Sequence, residues 1–98
     1  MQQTKILLVD DETSVLKILR RIIKRVGGEC TPCSSAEEAR NILHTETFDL
    51  LLCDLYLPGE SGIDLIQWVH AHFPHMGVIM ISGEDDPEVA EKALQMGA

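Results

Sequence analysis

Three short apolar runs in this chain each finish on a polar or charged side chain. Ile6-Leu7-Leu8-Val9 runs into Asp10-Asp11, Leu50-Leu51-Leu52-Cys53 runs into Asp54, and Val78-Ile79-Met80-Ile81 runs into Ser82-Gly83-Glu84. Continuous apolar runs of this length, bounded by turn signals, suit strands covered on both faces, as in a parallel sheet. The pattern predicts strands over residues 5–9, 48–54 and 78–81. A weaker strand is predicted over 29–34, where Pro32 removes a ladder donor and so places the strand at a sheet edge.

Between the strands the apolar period lengthens to that of a helix. Val15, Leu19, Ile22 and Val26 recur at helical spacing, widened by Leu16, Ile18 and Ile23, which predicts a helix over about 14–26. Thr13 or Ser14 is the expected cap, and Gly27-Gly28 the expected stop. Ser35-Ala36-Glu37-Glu38 has capping-box spacing and opens a helix to about His44. A third helix is expected over about 62–72, with Ile63, Leu65, Ile66 and Val69 inward and Pro74 marking its end. Asp86-Pro87 opens a fourth, with Val89, Ala90, Ala93 and Leu94 as its apolar stripe and Gly97 at its end. The order βαβαβαβα with right-handed crossovers gives an α/β doubly wound parallel sheet. With the proline-bearing strand at an edge, the strand order is 2-1-3-4, and the switch point lies between the first and third strands.

The 98 residues fit one domain, and 45% hydrophobic residues with only 4% aromatics imply an aliphatic core. No run of about 18 apolar residues is present, so no transmembrane helix is expected. The N-terminus shows no signal-peptide pattern and the three cysteines are an odd number, so a cytoplasmic protein is expected. A net charge of −8 argues against direct nucleic-acid binding by this domain. The charge is uneven: Lys17, Arg20, Arg21, Lys24 and Arg25 cluster on the first helix, either as a solvated face or as a docking surface for an acidic partner.

In open α/β sheets, ligands collect beyond the carboxyl ends of the strands. The predicted topology brings Asp10, Asp11 and Asp54 to one such crevice, with Ser82 on the adjoining strand. Carboxylates crowded together repel and raise at least one pKa, and a hard cation such as Mg²⁺ relieves this. A carboxylate beside Mg²⁺ can attack phosphorus and form an aspartyl-phosphate.

The segments Ile6–Glu12, Ser34–Ala39, Asp49–Gly59, Val78–Glu84 and Ala93–Ala98 fall in the order and spacing of one family. The chain resembles the receiver domain of two-component response regulators, over nearly its whole length. The resemblance implies a flavodoxin-like fold, with Asp54 as phosphoacceptor and a sensor histidine kinase or histidine phosphotransfer protein as donor. It implies Mg²⁺ held by Asp10, Asp11, Asp54 and the Tyr56 main-chain carbonyl. It implies that Ser82 bonds the phosphoryl group and moves on activation, so that the domain switches and signals rather than acting as an enzyme. It also matches the basic first helix to a region that docks kinases or phosphotransfer partners. The family continues beyond Gly97-Ala98 into a fifth strand, a lysine at its end and a fifth helix. Residues 1–98 therefore read as a receiver domain truncated before its fifth βα unit. The fourth strand then becomes an apolar edge, and self-association through it is expected.

Two other readings compete. A phosphatase resembling the haloacid dehalogenase superfamily would also use a strand-end Asp nucleophile, but it needs an acid two residues later, where this chain has Tyr56. Cys30-Thr31-Pro32-Cys33 has the C-x-x-C spacing of a thioredoxin-like redox module, yet no helix signal begins until Ser35, and residues three apart on a strand face opposite sides. Cys53, Trp68 and Met80 are expected in the core, and His70, His72 and His75 at an exposed helix end.

Overall fold

A computed structural model of the chain describes residues 3–81. Its elements run β1 (Lys5–Val9), α1 (Thr13–Arg25), β2 (Glu29–Cys33), α2 (Ala36–Leu43), β3 (Leu50–Asp54), α3 (Gly62–His72) and β4 (Gly77–Ile81). The strands form one parallel sheet in the order β2-β1-β3-β4. Pro32 lies in the edge strand β2, where its missing N–H costs no ladder bond between neighbours on both sides. Ser82 and the expected fourth helix lie outside the described residues.

One face of the sheet carries Leu7, Val9, Cys33, Leu51 and Cys53, and it packs with Ala36, Ala39 and Leu43 of α2 and Leu65, Ile66 and Val69 of α3. All of these are buried, most of them completely. Phe48, Trp68, Phe73 and Met80 pack against this cluster from its margin. Trp68 and Met80 are therefore core-flanking residues, only partly buried.

The other face is more open. Of the apolar stripe of α1, only Ile23 is fully buried. Ile18, Ile22 and Val26 are exposed at 57%, 50% and 77%. The apolar run alone reads β4 as a buried strand and the family resemblance reads it as an apolar edge. The edge reading fits the described residues, since none of its residues is fully buried and Ile79 is 51% exposed. The physical reason is coverage. Among the described elements α1 packs chiefly against β2, so only part of its apolar stripe meets a surface. β4 is also the outer strand of the described sheet, with β3 as its one described neighbour.

The helix ends explain themselves locally. Ser35 caps α2 by accepting from the Glu38 N–H at 3.1 Å. The returning half of the expected capping box goes one residue further out, with Glu38 Oε2 accepting from the N–H and hydroxyl of Ser34. Ser61 caps α3 by accepting from the Asp64 N–H at 3.2 Å. At α1 the expected cap by Thr13 or Ser14 is not used: Glu12 occupies the cap position without a side-chain bond. The Glu12 N–H instead donates to Asp10 Oδ1 at 2.9 Å, an Asx turn that ties the start of the helix to the end of β1. Gly27, with φ +87°, turns the chain out of α1 in the left-handed region that glycine tolerates.

Candidate functional site

Register alone brings two carboxylates together. Val9 of β1 pairs with Cys53 of β3, so the next residues, Asp10 and Asp54, leave adjacent strand ends side by side. Asp11 follows on the turn into α1. One carboxylate oxygen from each of Asp10, Asp11 and Asp54 lies within 4.8 Å of the others. Asp10 is buried at 3% exposure, Asp54 is partly buried and Asp11 is exposed. The three expected metal-ligating acids therefore converge, graded from the interior to solvent.

The crevice is electrostatically loaded. Burial pushes the Asp54 carboxyl above its ordinary value. The Tyr56 N–H, donating to Asp54 Oδ1 at 3.1 Å, pulls it back down, and Asp10, Asp11 and Glu12 push it up again. Glu12 is a fourth acid that the sequence reading did not assign to the site. The donor set is oxygen only, it is anionic, and it is close enough for one ion to contact all three acids. That fits a hard divalent cation such as Mg²⁺, which prefers carboxylate oxygen and retains water.

The loop after β3 is shaped tightly around this strand end. Tyr56 and Ser61 form an isolated antiparallel bridge, and the Gly62 N–H donates to the Leu55 carbonyl at 2.8 Å. Gly59 sits at φ +78° at the tip. Gly62 allows a close approach: a Cβ there would lie 2.0 Å from the Asp54 carbonyl oxygen and 2.8 Å from Leu55 Cα. The sequence reading placed Gly62 only as the start of a helix, and nothing local distinguishes it from an ordinary N-terminal glycine. The Leu55 N–H continues the ladder to the Ile81 carbonyl at 3.2 Å, and Ile81 pairs with Asp54. The Tyr56 side chain is 44% exposed beside the crevice.

The C-x-x-C segment offers no comparable chemistry. Cys30 and Cys33 lie within edge strand β2, and α2 begins only at Ala36. Burial pushes the Cys33 and Cys53 thiols up to about 12, which holds them as neutral thiols, and burial also raises Cys30 against the pull of Arg20. His70, His72 and His75 are exposed. His72 stacks on Trp68 at 4.5 Å between ring centroids and sits 2.8 Å from the Trp68 carbonyl through Nδ1.

Comparison with known proteins bears on the family and the fold. The family model described as the response regulator receiver domain matches residues 6–98. The chain is 36% identical over 98 residues to the response regulator protein PilR of Pseudomonas aeruginosa, covering all of this chain and 22% of that protein. It is 34% identical over 98 residues to the DNA-binding transcriptional regulator NtrC of Klebsiella pneumoniae, covering all of this chain and 21% of that protein. It thus spans about a fifth of the length of these relatives. Among solved structures, a CheY-like receiver domain protein from Methanospirillum hungatei superposes with a TM-score of 0.91 at 32% identity, over 99% of this chain and 78% of that one. A response regulator receiver protein from Pseudomonas putida gives 0.91 at 31% identity, over all of this chain and 83% of that one. These matches give no support to the haloacid-dehalogenase reading. A parallel sheet ordered β2-β1-β3-β4, acids at the ends of its two central strands and a family match over nearly every residue lead to one assignment: the chain belongs to the response regulator receiver domain family.

Proposed function

We propose that Asp54 accepts a phosphoryl group in a Mg²⁺-dependent manner, and that the resulting change in charge switches the domain between signalling states. The observation that carries this reading is the convergence of Asp10, Asp11 and Asp54 within 4.8 Å, with Asp54 at the end of a central strand. Asp10, Asp11, Asp54 and the Tyr56 carbonyl would hold the ion, which would offset the negative charge of the crevice and of the incoming phosphoryl oxygens. The Tyr56 N–H fixes Asp54 by its Oδ1, which leaves Oδ2 to attack phosphorus. The Oδ2–P bond forms as the bond from phosphorus to the donor breaks, and the donor leaves with the bonding pair. From a phosphohistidine the leaving group is the imidazole nitrogen. Asp10, with Oδ1 held by the Glu12 N–H, is fixed as the counter-wall of the crevice, and Asp11 lines its solvent side. In this reading Ser82, next in sequence to Ile81, reaches the phosphoryl group and moves with it. New charge at Asp54 supplies the pull.

The donor is a sensor histidine kinase or a histidine phosphotransfer protein. Lys17, Arg20, Arg21, Lys24 and Arg25 are all exposed on α1, which starts three residues after Asp10, and they suit an acidic partner surface. The domain handles one phosphoryl group per chain and is a signalling module rather than a turnover enzyme. We also propose self-association at high concentration. It is favoured by the exposure of Ile18, Ile22, Val26 and Ile79 together with the unpaired outer side of β4 in the described sheet.

Intact-mass measurement after incubation with acetyl phosphate tests the main reading. The expected result is a gain of one phosphoryl group with Mg²⁺, lost with chelator, and lost in Asp54→Ala. A gain that survives in Asp54→Ala overturns the assignment.

A further inference from the structure

Besides its own backbone bonds, the burial of Leu55 and Leu57 and the Leu55–Ile81 hydrogen bond, the loop over residues 55–61 has a side-chain restraint reaching it from α2. Glu60 is a partly buried side chain in that loop. Both terminal nitrogens of the Arg40 guanidinium donate to its two carboxylate oxygens, a two-pronged pair. Arg40 belongs to α2, a helix that supplies no side chain to the carboxylate crevice. Its guanidinium also lies over the Trp68 ring of α3, with Cζ 5.4 Å from the ring centroid. The side chains of Arg40 and Glu60 are only 26% and 27% exposed, so solvent screens the pair less than it would at an open surface. Each partner shifts the other in the direction of attraction: the hydrogen bond to Glu60 raises Arg40, and the bond from Arg40 lowers Glu60. With its guanidinium over the Trp68 ring, Arg40 is restricted in its rotamers, so part of the ordering needed to meet the carboxylate is already supplied.

We propose that Arg40 and Glu60 form a positioning clamp that sets the β3–α3 loop, and with it Tyr56, in the shape needed for divalent-cation binding beside Asp54. The inference rests on the Mg²⁺ site proposed above and adds two residues, 20 apart in sequence, that touch neither the ion nor the phosphoryl group. Sequence spacing could not relate them, because one lies on a helix and the other in a loop two elements later.

Charge and clamp make opposite predictions for Arg40. Arg40→Gln removes a cation from a chain of net charge −8, which by through-space attraction alone would tighten Mg²⁺ binding. The clamp predicts the reverse. By analogy with residues that orient metal ligands, Arg40→Gln and Glu60→Gln should each weaken Mg²⁺ about three- to tenfold by calorimetric titration. The double variant should be no weaker than the weaker single, because each substitution breaks the same pair. Arg40→Lys, which keeps the charge without the fork, should recover part of the loss. Hydrogen exchange at the Tyr56 and Gly62 amides, both hydrogen-bonded in the loop, should speed up in each Gln variant with and without Mg²⁺. The clamp is overturned if Arg40→Gln binds Mg²⁺ as tightly as the unsubstituted chain or more tightly, if the two losses add, or if amide exchange is unchanged. Absence of Asp11-dependent Mg²⁺ binding in the unsubstituted chain would instead count against the ion site, and the exchange rates alone would then decide the clamp. A Gln variant that does not fold is replaced by Arg40→Lys, which keeps the positive charge without the two-pronged geometry and should weaken Mg²⁺ binding by a smaller factor; binding as tight as in the unsubstituted chain overturns the clamp.

Discussion

The two faces of this sheet are built from similar aliphatic side chains and end up in different states. Against α2 and α3, Leu7, Val9, Leu51 and Cys53 are sealed under Ala36, Ala39, Leu65, Ile66 and Val69, each at 1% exposure or less. Against α1, Ile6, Leu8 and Ile23 are buried, while Ile18, Ile22, Val26 and Ile79 stand half or more in solvent. The difference teaches where the crevice gets its rigidity. The loop carrying Tyr56 is anchored on the sealed side, through Gly62 at the head of α3 and through Arg40 of α2. The open side supplies Asp11 and the basic face of α1, which are the parts a partner would have to reach.

That contrast can be broken most forcefully on the sealed face. Leu51→Ala or Ile66→Ala removes buried methyl groups from a site with little room to collapse, and should cost about 3–4 kcal/mol in urea unfolding. Gly62→Ala drives a Cβ into the Asp54 carbonyl, 2.0 Å away, so backbone must move. The expected cost is about 3 kcal/mol, with Mg²⁺ binding lost in the fraction that still folds. On the open face, Ile22→Lys should change stability by no more than about 0.5 kcal/mol. It should also lower self-association, read as a smaller concentration dependence in light scattering. Equal destabilisation on both faces would show that the open face is covered in solution.

The smallest effect is one of pH, and its sign is fixed by Asp54. Below the ordinary carboxylate range this group is protonated in the folded and unfolded chains alike, so it exerts no pH-dependent effect. As pH rises through its raised folded value, the folded chain has to ionise it among Asp10, Asp11 and Glu12, and stability falls. Asp54→Asn keeps an acceptor for the Tyr56 N–H and removes that loss. Without metal, the variant should be the more stable chain at neutral pH, and the two chains should converge below the usual carboxylate range. Saturating Mg²⁺ should reverse the order. Parallel stability curves across that range would contradict the crowding of acids.

Much of this was legible in the sequence, for reasons that particular residues make clear. Apolar runs stopping on Asp10 and Asp54 mark strand ends, and Pro32 marks the sheet edge, so strand order and the meeting of the acids followed from topology. The burial of α1 was not legible, because an apolar stripe states that a helix is amphipathic and not how much of the stripe finds a surface. The start of α1 was misread because Thr13 and Ser14 are better caps than Glu12, while the carboxylate that organises the turn lies outside the helix on Asp10. Gly62 and the Arg40–Glu60 pair were invisible for another reason. A missing Cβ and a two-pronged contact between distant segments leave no periodic trace.

The most direct test of the central claim is to locate the modification itself. After treatment with acetyl phosphate and Mg²⁺, peptides of the chain are reduced with borohydride to trap the acyl phosphate and then sequenced by tandem mass spectrometry. The account predicts a single modified side chain, Asp54, lost when Asp11 is changed to Asn. Modification on Asp10, Asp11, Ser82 or a histidine, with Asp54 untouched, would contradict it.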